Sequence, residues 1–332
     1  PENIRPSVIQ SRLGHGRSFV MDYTSFECVP NKTIMQLGEH TVLRGVVDQE
    51  YHFLFDVIEA GGSLKAHDGV QITTPAIQYS GRYTTSLCNT IRNKLLLDAA
   101  ARLLHSRYAG VFEGDDSLSV WPDDISQDKI EFALSRLGVA VEGKEVQSLG
   151  EAGYCSMFWN ADMELICEPI KVCATFPFSE SPLAIDIKNH PMLLAAKAMS
   201  LAYRAPGCPI VYAIVRRFIM EHGYIGTCNM YELKWFKQFG EVDVSDHKHA
   251  VKFTRFDLLK QPTITQRDFF QRIFGVSIVD QIAAENEILE TGAFGTSLWQ
   301  CLSAAEKVAG TTISELRNLY AYQFRENLLN RI

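Results

Sequence analysis

The stretch Tyr108-Ala-Gly-Val-Phe-Glu-Gly-Asp-Asp-Ser-Leu-Ser-Val-Trp121 decides the fold. Two short runs rich in apolar residues, 108–112 and 118–121, flank five residues that are typical of a tight turn. The pattern therefore predicts a β-hairpin. Gly114 lets such a turn bend without a clash from a Cβ atom. The tip of the hairpin is thus expected to carry two neighbouring carboxylates, Asp115 and Asp116.

The residues before this hairpin predict a strand that leads into a third acid, followed mainly by helices. Asp22 comes directly after a short apolar run, so it is expected at the exit of a strand. Gly61-Gly62 is expected to end the helical region that follows it. In order, the predicted elements are a strand at 18–21, one or two helices within 31–60, an edge strand or extended loop at 70–79, and a long helix at 90–107.

The residues after the hairpin begin as mixed structure and become mainly helical beyond Pro169. A helix at 126–137, a strand at 139–141 and a hairpin at 152–158 and 163–167 are predicted first, and then helices at about 192–203, 209–222, 265–274 and 312–328. The expected fold class is α+β. An antiparallel sheet built from the Asp22 strand and the Asp115 hairpin should lie on helices, and a helical region should follow.

Composition places the chain among globular proteins. It has 332 residues and a net charge of −7, with 46% hydrophobic and 21% charged residues, values that disfavour disorder and fibrous repeats. Acidic residues outnumber basic ones over 1–170, whereas 171–332 is slightly basic. No apolar run approaches the roughly 18 residues of a membrane span. The chain begins with Pro1 and shows no signal peptide, so we interpret it as a piece of a longer protein.

The acids at the strand ends are suited to binding magnesium. Mg²⁺ prefers oxygen ligands and is often held by one or two carboxylates together with substrate phosphates. Two such ions can activate an attacking hydroxyl and stabilise a leaving oxygen. A Gly-Asp-Asp triplet alone is weak support, because it also arises by chance.

A second polar segment, residues 79–90, precedes the long helix. Ser80-Gly81 predicts a flexible loop, and Thr85 and Asn89 are four residues apart, so they share one face of a helix. Both side chains can hydrogen-bond a sugar hydroxyl. The alternative, in which Ser80, Thr84 and Thr85 are only helix caps, has about equal weight when this segment is considered alone.

Taken together, these segments resemble the palm of viral RNA-directed RNA polymerases. The matching segments are, in order, Asp22-Tyr-Thr-Ser-Phe-Glu27, Ser80-Gly-x-x-x-Thr85-x-x-x-Asn89-Thr90 and Gly114-Asp115-Asp116-Ser117, which resemble motifs A, B and C. Residues 138–145 and 154–157 resemble motifs D and E. The resemblance covers about residues 15–160, and its form is similar to that of positive-strand viruses of the tombusvirus-like and nodavirus-like groups.

The resemblance implies a domain layout and a reaction. It implies a palm at 1–169 with a partial fingers insertion near 61–78, and a helical thumb at 170–332. The implied activity is two-magnesium nucleotidyl transfer, with Mn²⁺ as an alternative ion, that adds ribonucleotides to an RNA 3′ end. Implied partners are RNA template and primer, ribonucleoside triphosphates and other viral replication proteins. The implied location is the host cytoplasm, with any membrane attachment supplied by regions outside this chain.

Residue roles follow from the same resemblance. Asp22 and Asp115 would hold the ions, with Asp116 in support. Lys144 would protonate departing pyrophosphate, although a solvated turn lysine is an equally weighted interpretation. The remaining nucleotide-site residues would recognise the incoming ribonucleotide, chiefly at its 2′ hydroxyl. They are Glu27, Ser80, Gly81, Thr85 and Asn89.

Two departures from the family pattern are visible. Glu27 stands where many members carry Asp, which puts in doubt how the ribose hydroxyl is recognised. The basic motif of the fingers, expected upstream of Asp22, is not recognisable, and Arg5, Arg12 and Arg17 are too sparse to be assigned to it. The chain therefore resembles a palm and thumb with most of the fingers missing.

The implied thumb contains a basic segment with interleaved aromatic residues. Its basic residues are expected to contact RNA phosphates, and the phenylalanines among them are more often core residues than stacking platforms. The predicted RNA-binding residues are Lys252, Arg255, Lys260, Arg267 and Arg272.

Three other functions remain open. A reverse transcriptase usually carries an aromatic residue two positions before the aspartate pair, where this chain has Glu113. A non-catalytic, palm-like RNA-binding module would not need all three acids, yet the missing fingers leave room for it. An unrelated magnesium-dependent phosphohydrolase would explain the acids but not the segment from Ser80 to Asn89.

Overall fold

The computed structural model describes residues 5–23, 26, 32–65, 69–74, 84–176, 186, 188, 190–222, 260–291, 296–309, 312 and 314–315. The chain forms two compact units. One comprises Val8–Cys155, and the other comprises Ser156–Ile332 together with Pro1–Ser7.

The first unit carries the acids singled out above. Short π- and 3₁₀-helical turns at Met35–Glu39 and Gln49–Tyr51 interrupt its early helices. Its elements, with the helix that leads into it, are α1 (Arg5–Leu13), β1 (Arg17–Tyr23), α2 (Lys32–Ile34), α3 (His40–Arg44), α4 (Phe53–Glu59), β2 (Gly62–Lys65), β3 (Gln71–Thr74), α5 (Thr85–Leu103), β4 (Ala109–Glu113), β5 (Asp116–Trp121), α6 (Gln127–Arg136) and β6 (Val141–Val146).

The four-stranded antiparallel sheet has the order β4-β5-β1-β6. Side chains on β1 alternate between the two faces, as a strand requires. Phe19, Met21 and Tyr23 point into the core, whereas Asp22 is exposed. One face of the sheet is therefore hydrophobic and the other carries the acid.

Helices α5 and α6 cover the hydrophobic face. Leu97 of α5 and Ile130 and Leu134 of α6 are fully buried in one cluster with Phe19 and Trp121 of the sheet. Each of these side chains, once buried, contributes about 1.5–3 kcal/mol relative to an exposed position. This packing fixes the position of α5 against the strands that bear the acids.

The predicted α+β class is confirmed. The differences are elements that were not predicted, such as α1 and β2, and the boundaries of those that were. The long helix spans Thr85–Leu103 instead of 90–107. It ends early because His105 adopts a left-handed conformation with φ of 49°, and the amide of Ser106 turns back to the carbonyl of Ala101. The predicted five-residue hairpin turn contracts to two residues, because Glu113 pairs with Asp116.

The second unit is mainly helical. A small hairpin, β7 (Phe158–Trp159) and β8 (Leu165–Ile166), precedes its helices. Three of those helices, at 169–175, 278–291 and 296–309, were not predicted, and most of the predicted helix at 312–328 lies outside the described residues. The helices are α7 (Pro169–Thr175), α8 (His190–Arg204), α9 (Val211–His222), α10 (Ile264–Phe274), α11 (Ile278–Thr291) and α12 (Thr296–Ala309).

Within the second unit, α8 packs against α9 and α11 packs against both α9 and α12. Across the described segments, none of the helices combines the length and the apolar character needed to cross a bilayer.

Candidate active site

A two-residue turn presents Asp115 and Asp116 at the end of the β4–β5 hairpin. Gly114 has φ of 65°, whereas Asp115 is not among the residues of positive φ. A positive φ at the first of two central residues is typical of a type II′ turn, for which glycine is favoured. A Cβ atom at Gly114 would meet no atom within 4 Å, so the backbone conformation, and not lack of space, favours glycine here.

Strand pairing brings Asp22 next to this turn. Met21 pairs with Ser117 across β1 and β5, so the antiparallel register carries Asp22 to the level of Asp116. Opposed residues of an antiparallel pair point to the same face of a sheet. Acids more than ninety positions apart in the sequence therefore converge at one edge of one face.

The charges of these acids interact. The pKa of Asp116 is raised, first because the surrounding protein desolvates its carboxyl group, although the residue is exposed overall, and next because Asp115 carries a like charge. Asp22 and Glu113 raise the same pKa further, while a hydrogen bond with Cys155 lowers it. Among the described residues, none of the three aspartates forms an ion pair with lysine or arginine. The cluster therefore holds negative charge that is not neutralised by those residues.

This donor set suits a cation that brings other ligands with it. In the described part of the chain, no group of three His, Cys, Asp or Glu side chains is arranged to hold an ion on its own. Mg²⁺ does not need such a cage, because it retains waters and accepts phosphate oxygens. Asp22 and Asp115 supply oxygen donors, which fit Mg²⁺ or Mn²⁺. A divalent cation would also relieve the repulsion among the acids.

Helix α5 supplies the polar residues predicted to recognise the nucleotide. Thr85 is its first residue, and Asn89 lies one turn further on the same face. Asn89 is only 4% exposed, and its Oδ1 atom has no hydrogen-bond partner among the described residues. A buried carbonyl oxygen without a partner is unusual, because leaving it unpaired costs about 1–3 kcal/mol. The helix-cap interpretation gains no support, since the side chain of Thr84, the N-cap residue, forms no capping bond.

Lys144 lies on the strand next to Asp22. It sits on β6 opposite Val20, and Glu142 sits opposite Asp22, so Lys144 and Asp22 share a face of the sheet. Its side chain is exposed. Lys144 thus lies in a strand, whereas its alternative interpretation was a solvated lysine in a turn, and its ammonium group is accessible from the acidic face.

The sequence did not identify the residue that connects helix α5 to the strand of Asp22 and to the turn of Asp115. Asn93, on α5 and 0% exposed, accepts a hydrogen bond from the hydroxyl of Tyr23 at 2.9 Å and donates to the carbonyl of Asp115 at 2.7 Å. One turn earlier, the hydroxyl of Thr90 accepts from the amide of Gly114 at 2.7 Å. Asn93 could have been noticed in the sequence, because it lies within a predicted helix, four residues after Asn89. Asparagine is intrinsically unfavourable in helices.

The predicted RNA-binding residues divide into two groups in the second unit. Lys260 and Arg272 are exposed. Arg267 instead donates hydrogen bonds from its Nη1 and Nη2 atoms to the carboxylate of Glu285, at 3.0 and 2.7 Å, so its charge is paired within the protein. Phe269 is 3% exposed and belongs to the core, as the more heavily weighted interpretation expected.

Several predicted residues lie outside the described part of the chain. Their positions relative to the acids therefore remain predictions. They are Glu27, Ser80 and Gly81 of the nucleotide site, and Lys252 and Arg255 of the RNA-binding segment.

Comparisons with known proteins agree with this geometry. Residues 10–152 match the family model described as viral RNA-directed RNA polymerase. None of the curated proteins matches the chain. Among solved structures, the chain is similar to an insertion-loop deletion mutant of the RNA-dependent RNA polymerase of a human picobirnavirus, with 16% sequence identity and a TM-score of 0.53.

That similarity covers 71% of this chain and 50% of the other, so the chain spans about half the length of the solved polymerase. At this level of identity, the structural match shows a shared fold, while the family model adds a match of sequence pattern. Residues 10–152 thus match the sequence pattern of viral RNA-directed RNA polymerases, and 71% of the chain shares the fold of one solved polymerase.

Proposed function

We propose that the chain is the palm and thumb of a viral RNA-directed RNA polymerase that adds ribonucleotides to an RNA 3′ end. The observation that carries the proposal is the convergence of Asp22, Asp115 and Asp116 on one edge of the sheet, beside the helix that bears Asn89. The palm comprises 1–169 with a fingers insertion near 61–78, and the thumb comprises 170–332. A virus of the tombusvirus-like or nodavirus-like group is the proposed source.

The acids are the proposed ligands of two Mg²⁺ ions, for which Mn²⁺ can substitute. Asp22 and Asp115 bind the ions and Asp116 supports them. When bound, the ions lower the pKa of the primer 3′ hydroxyl and neutralise charge on the triphosphate. The protein contributes positioning, because its carboxylates are held at adjacent strand ends before any ligand arrives.

The other site residues recognise and process the nucleotide. Glu27 and Asn89 recognise the 2′ hydroxyl, with Ser80, Gly81 and Thr85 forming the loop and first turn around it. Lys144 donates a proton to departing pyrophosphate, a role for which its exposed position on the acidic face is suited.

Substrates and partners follow from this assignment. They are RNA template and primer, ribonucleoside triphosphates and other viral replication proteins in the host cytoplasm. Lys252, Arg255, Lys260 and Arg272 are the proposed phosphate contacts. We leave out Arg267, because its guanidinium group is bound by Glu285.

Primer extension by the full-length protein tests the proposal. We expect Asp115→Asn to abolish Mg²⁺-dependent ribonucleotide incorporation, because an amide cannot replace a metal-binding carboxylate. Asp128→Asn is the matched control, since Asp128 is an exposed acid on α6, away from the turn. Near-normal incorporation by Asp115→Asn would refute the assignment. Preferential use of deoxyribonucleotides would favour a reverse transcriptase, and no incorporation by the unmodified protein would favour a non-catalytic RNA-binding module.

A further inference from the structure

Asn93 lies in the interior of the first unit, between the strand that bears Asp22 and the turn that bears Asp115. Its side chain is 0% exposed, and it sits on α5, in the middle of a helix where an asparagine is normally unfavourable. A buried polar side chain at such a position is stable only when its hydrogen bonds are made.

All sides of the Asn93 amide are engaged. Its Oδ1 atom accepts from the hydroxyl of Tyr23 at 2.9 Å. Its Nδ2 atom faces three successive carbonyl oxygens, those of Gly114 at 3.4 Å, Asp115 at 2.7 Å and Asp116 at 3.3 Å. The phenol of Tyr23 is the donor to Oδ1, which fixes the orientation of the amide and leaves its NH₂ group directed at the turn.

Both ends of this connection lie next to proposed metal ligands. Tyr23 follows Asp22 directly on β1, and the strongest bond from Asn93 reaches the backbone of Asp115 itself. Thr90 holds the opposite side of the turn, because its hydroxyl accepts from the amide of Gly114. One helix therefore fixes the backbone on each side of the acid cluster.

We propose that Asn93 is a positioning residue that sets the separation of the Asp22 and Asp115 carboxylates, so that a divalent cation finds them already placed. This inference rests on the proposed function, in which these two acids bind the cation. Like charges at the strand ends repel one another, and an exposed two-residue turn on its own would relax away from β1. The Asn93 amide opposes that movement without contacting the ion.

The test is Mn²⁺ binding by the full chain, followed by the electron paramagnetic resonance signal of free Mn²⁺. We expect Asn93→Leu, which keeps the volume but removes the hydrogen bonds, to weaken Mn²⁺ affinity about tenfold, the lower end of the range for groups that orient metal ligands. Tyr23→Phe removes the phenolic donor but keeps the Asn93 amide, and it should weaken Mn²⁺ affinity less than Asn93→Leu does. Asp115→Asn should abolish the binding that these variants weaken.

Asn160 provides a matched control for a loss of stability that does not involve the acid cluster. It too is a buried asparagine that holds a hairpin turn, accepting from the amides of Asp162 and Glu164 at 3.0 and 2.9 Å. Asn160→Ala should lower the melting temperature and leave Mn²⁺ affinity unchanged. Tyr23→Phe keeps its buried ring and is the informative variant where Asn93→Leu does not fold.

A double-mutant cycle completes the design. In an Asn93→Leu background, Tyr23→Phe should have no further effect on Mn²⁺ affinity, because its partner is already gone. Mn²⁺ binding that depends on Asp115 but is unchanged by Asn93→Leu and Tyr23→Phe would overturn the positioning role and leave the proposed function standing. Mn²⁺ binding that does not depend on Asp115 would overturn the proposed metal site and, with it, the positioning role.

Discussion

The guanidinium of Arg92 donates to the carboxylate of Glu39 at 2.6 Å, and both side chains are at most 1% exposed. Arg92 also donates to the carbonyl of Phe26 at 3.1 Å, so this one residue of α5 holds the segment that follows β1. Within the part of the chain that the structure describes, the pair is incompletely satisfied, because Oε2 of Glu39 and Nη2 of Arg92 have no hydrogen-bond partner there.

Breaking this pair should destabilise the protein strongly. Arg92→Met leaves a buried, unpaired carboxylate, and we expect the free energy of unfolding in urea to fall by about 3–5 kcal/mol. Replacing Glu39 with Leu in the same protein should restore much of that loss, since no buried charge then remains. Lys94→Gln, which removes an exposed ion pair with Asp98 on the same helix, should cost no more than about 0.5 kcal/mol.

Asn89 should affect sugar selectivity more than stability. Its Oδ1 atom is buried and has no hydrogen-bond partner in the described segments, so its hydrogen-bonding capacity is left for a ligand hydroxyl. We expect Asn89→Asp to lower the preference for ribonucleotides over deoxyribonucleotides in primer extension. Cys88→Ala, a change at the adjacent buried position, is the control and should leave that ratio unaltered. An unchanged ratio in Asn89→Asp would remove the residue from sugar recognition.

Lowering the pH should remove the stabilisation that the Glu59 carboxylate gives to the folded protein. Burial alone would raise the pKa of this carboxyl group, but hydrogen bonds from His40 and Gln36 and the charges of His40 and Arg44 outweigh it and lower the pKa below 4.5. A lowered pKa in the folded state stabilises the protein above the unfolded-state pKa, and that stabilisation is lost as pH falls through the folded-state value.

The measurement is urea unfolding between pH 7 and pH 3. The difference in unfolding free energy between the unmodified protein and Glu59→Gln should shrink as pH falls below about 4.5. Asp56→Asn serves as the control, because Asp56 is 70% exposed and its pairing with Arg44 is weakly stabilising. A difference that stays constant over this range would contradict the assignment.

Arg267 and Arg272 should respond oppositely to substitution, although they are five residues apart. Arg267→Gln breaks the pair with Glu285 and should lower the unfolding free energy by about 3 kcal/mol. Arg272→Gln should leave stability nearly unchanged, weaken binding of single-stranded RNA and reduce the slope of log affinity against log salt by about 1. RNA affinity that does not vary with salt would contradict phosphate contact by this segment.

The described cysteines should differ sharply in reactivity towards iodoacetamide. Burial raises the pKa of Cys88 to about 11 and that of Cys301 to about 12, so little thiolate is present at neutral pH. Cys155 is half-buried and should be labelled first. Peptide mass spectrometry at short times would measure this order, with a urea-unfolded sample as the reference for full labelling. Labelling of Cys88 as fast as that of Cys155 would contradict the burial.

The positions of the acids could be predicted from the sequence, whereas the residues that support them could not. Asp22, Asp115 and Asp116 follow a short apolar run or lie beside Gly114, and such patterns mark strand ends and turns. Asn93 could not be identified, because its contacts depend on how α5 is rotated against the sheet, which packing by Leu97 and its neighbours determines. The pairing of Arg267 could not be predicted for the same reason, since its partner Glu285 lies on a helix that local periodicity did not reveal.

The boundaries of the helices also depend on local conformations and tertiary contacts that the sequence does not reveal. The end of α5 depends on a left-handed histidine, a conformation for which the sequence carries only a weak signal. The interrupted helices between Lys32 and Glu59 share one hydrophobic periodicity, and only tertiary contacts such as those of Glu39 and His40 decide where each begins.

The alternation along β1 has a further consequence for how this protein can vary. Met21 and Tyr23 fill the interior while Asp22 faces outward, so a single inserted or deleted residue in that strand would bury the acid and expose the aromatic ring. Single substitutions are compatible with this strand, but changes of length are not, because the same alternation of side chains fills the interior and places Asp22 on the outer face.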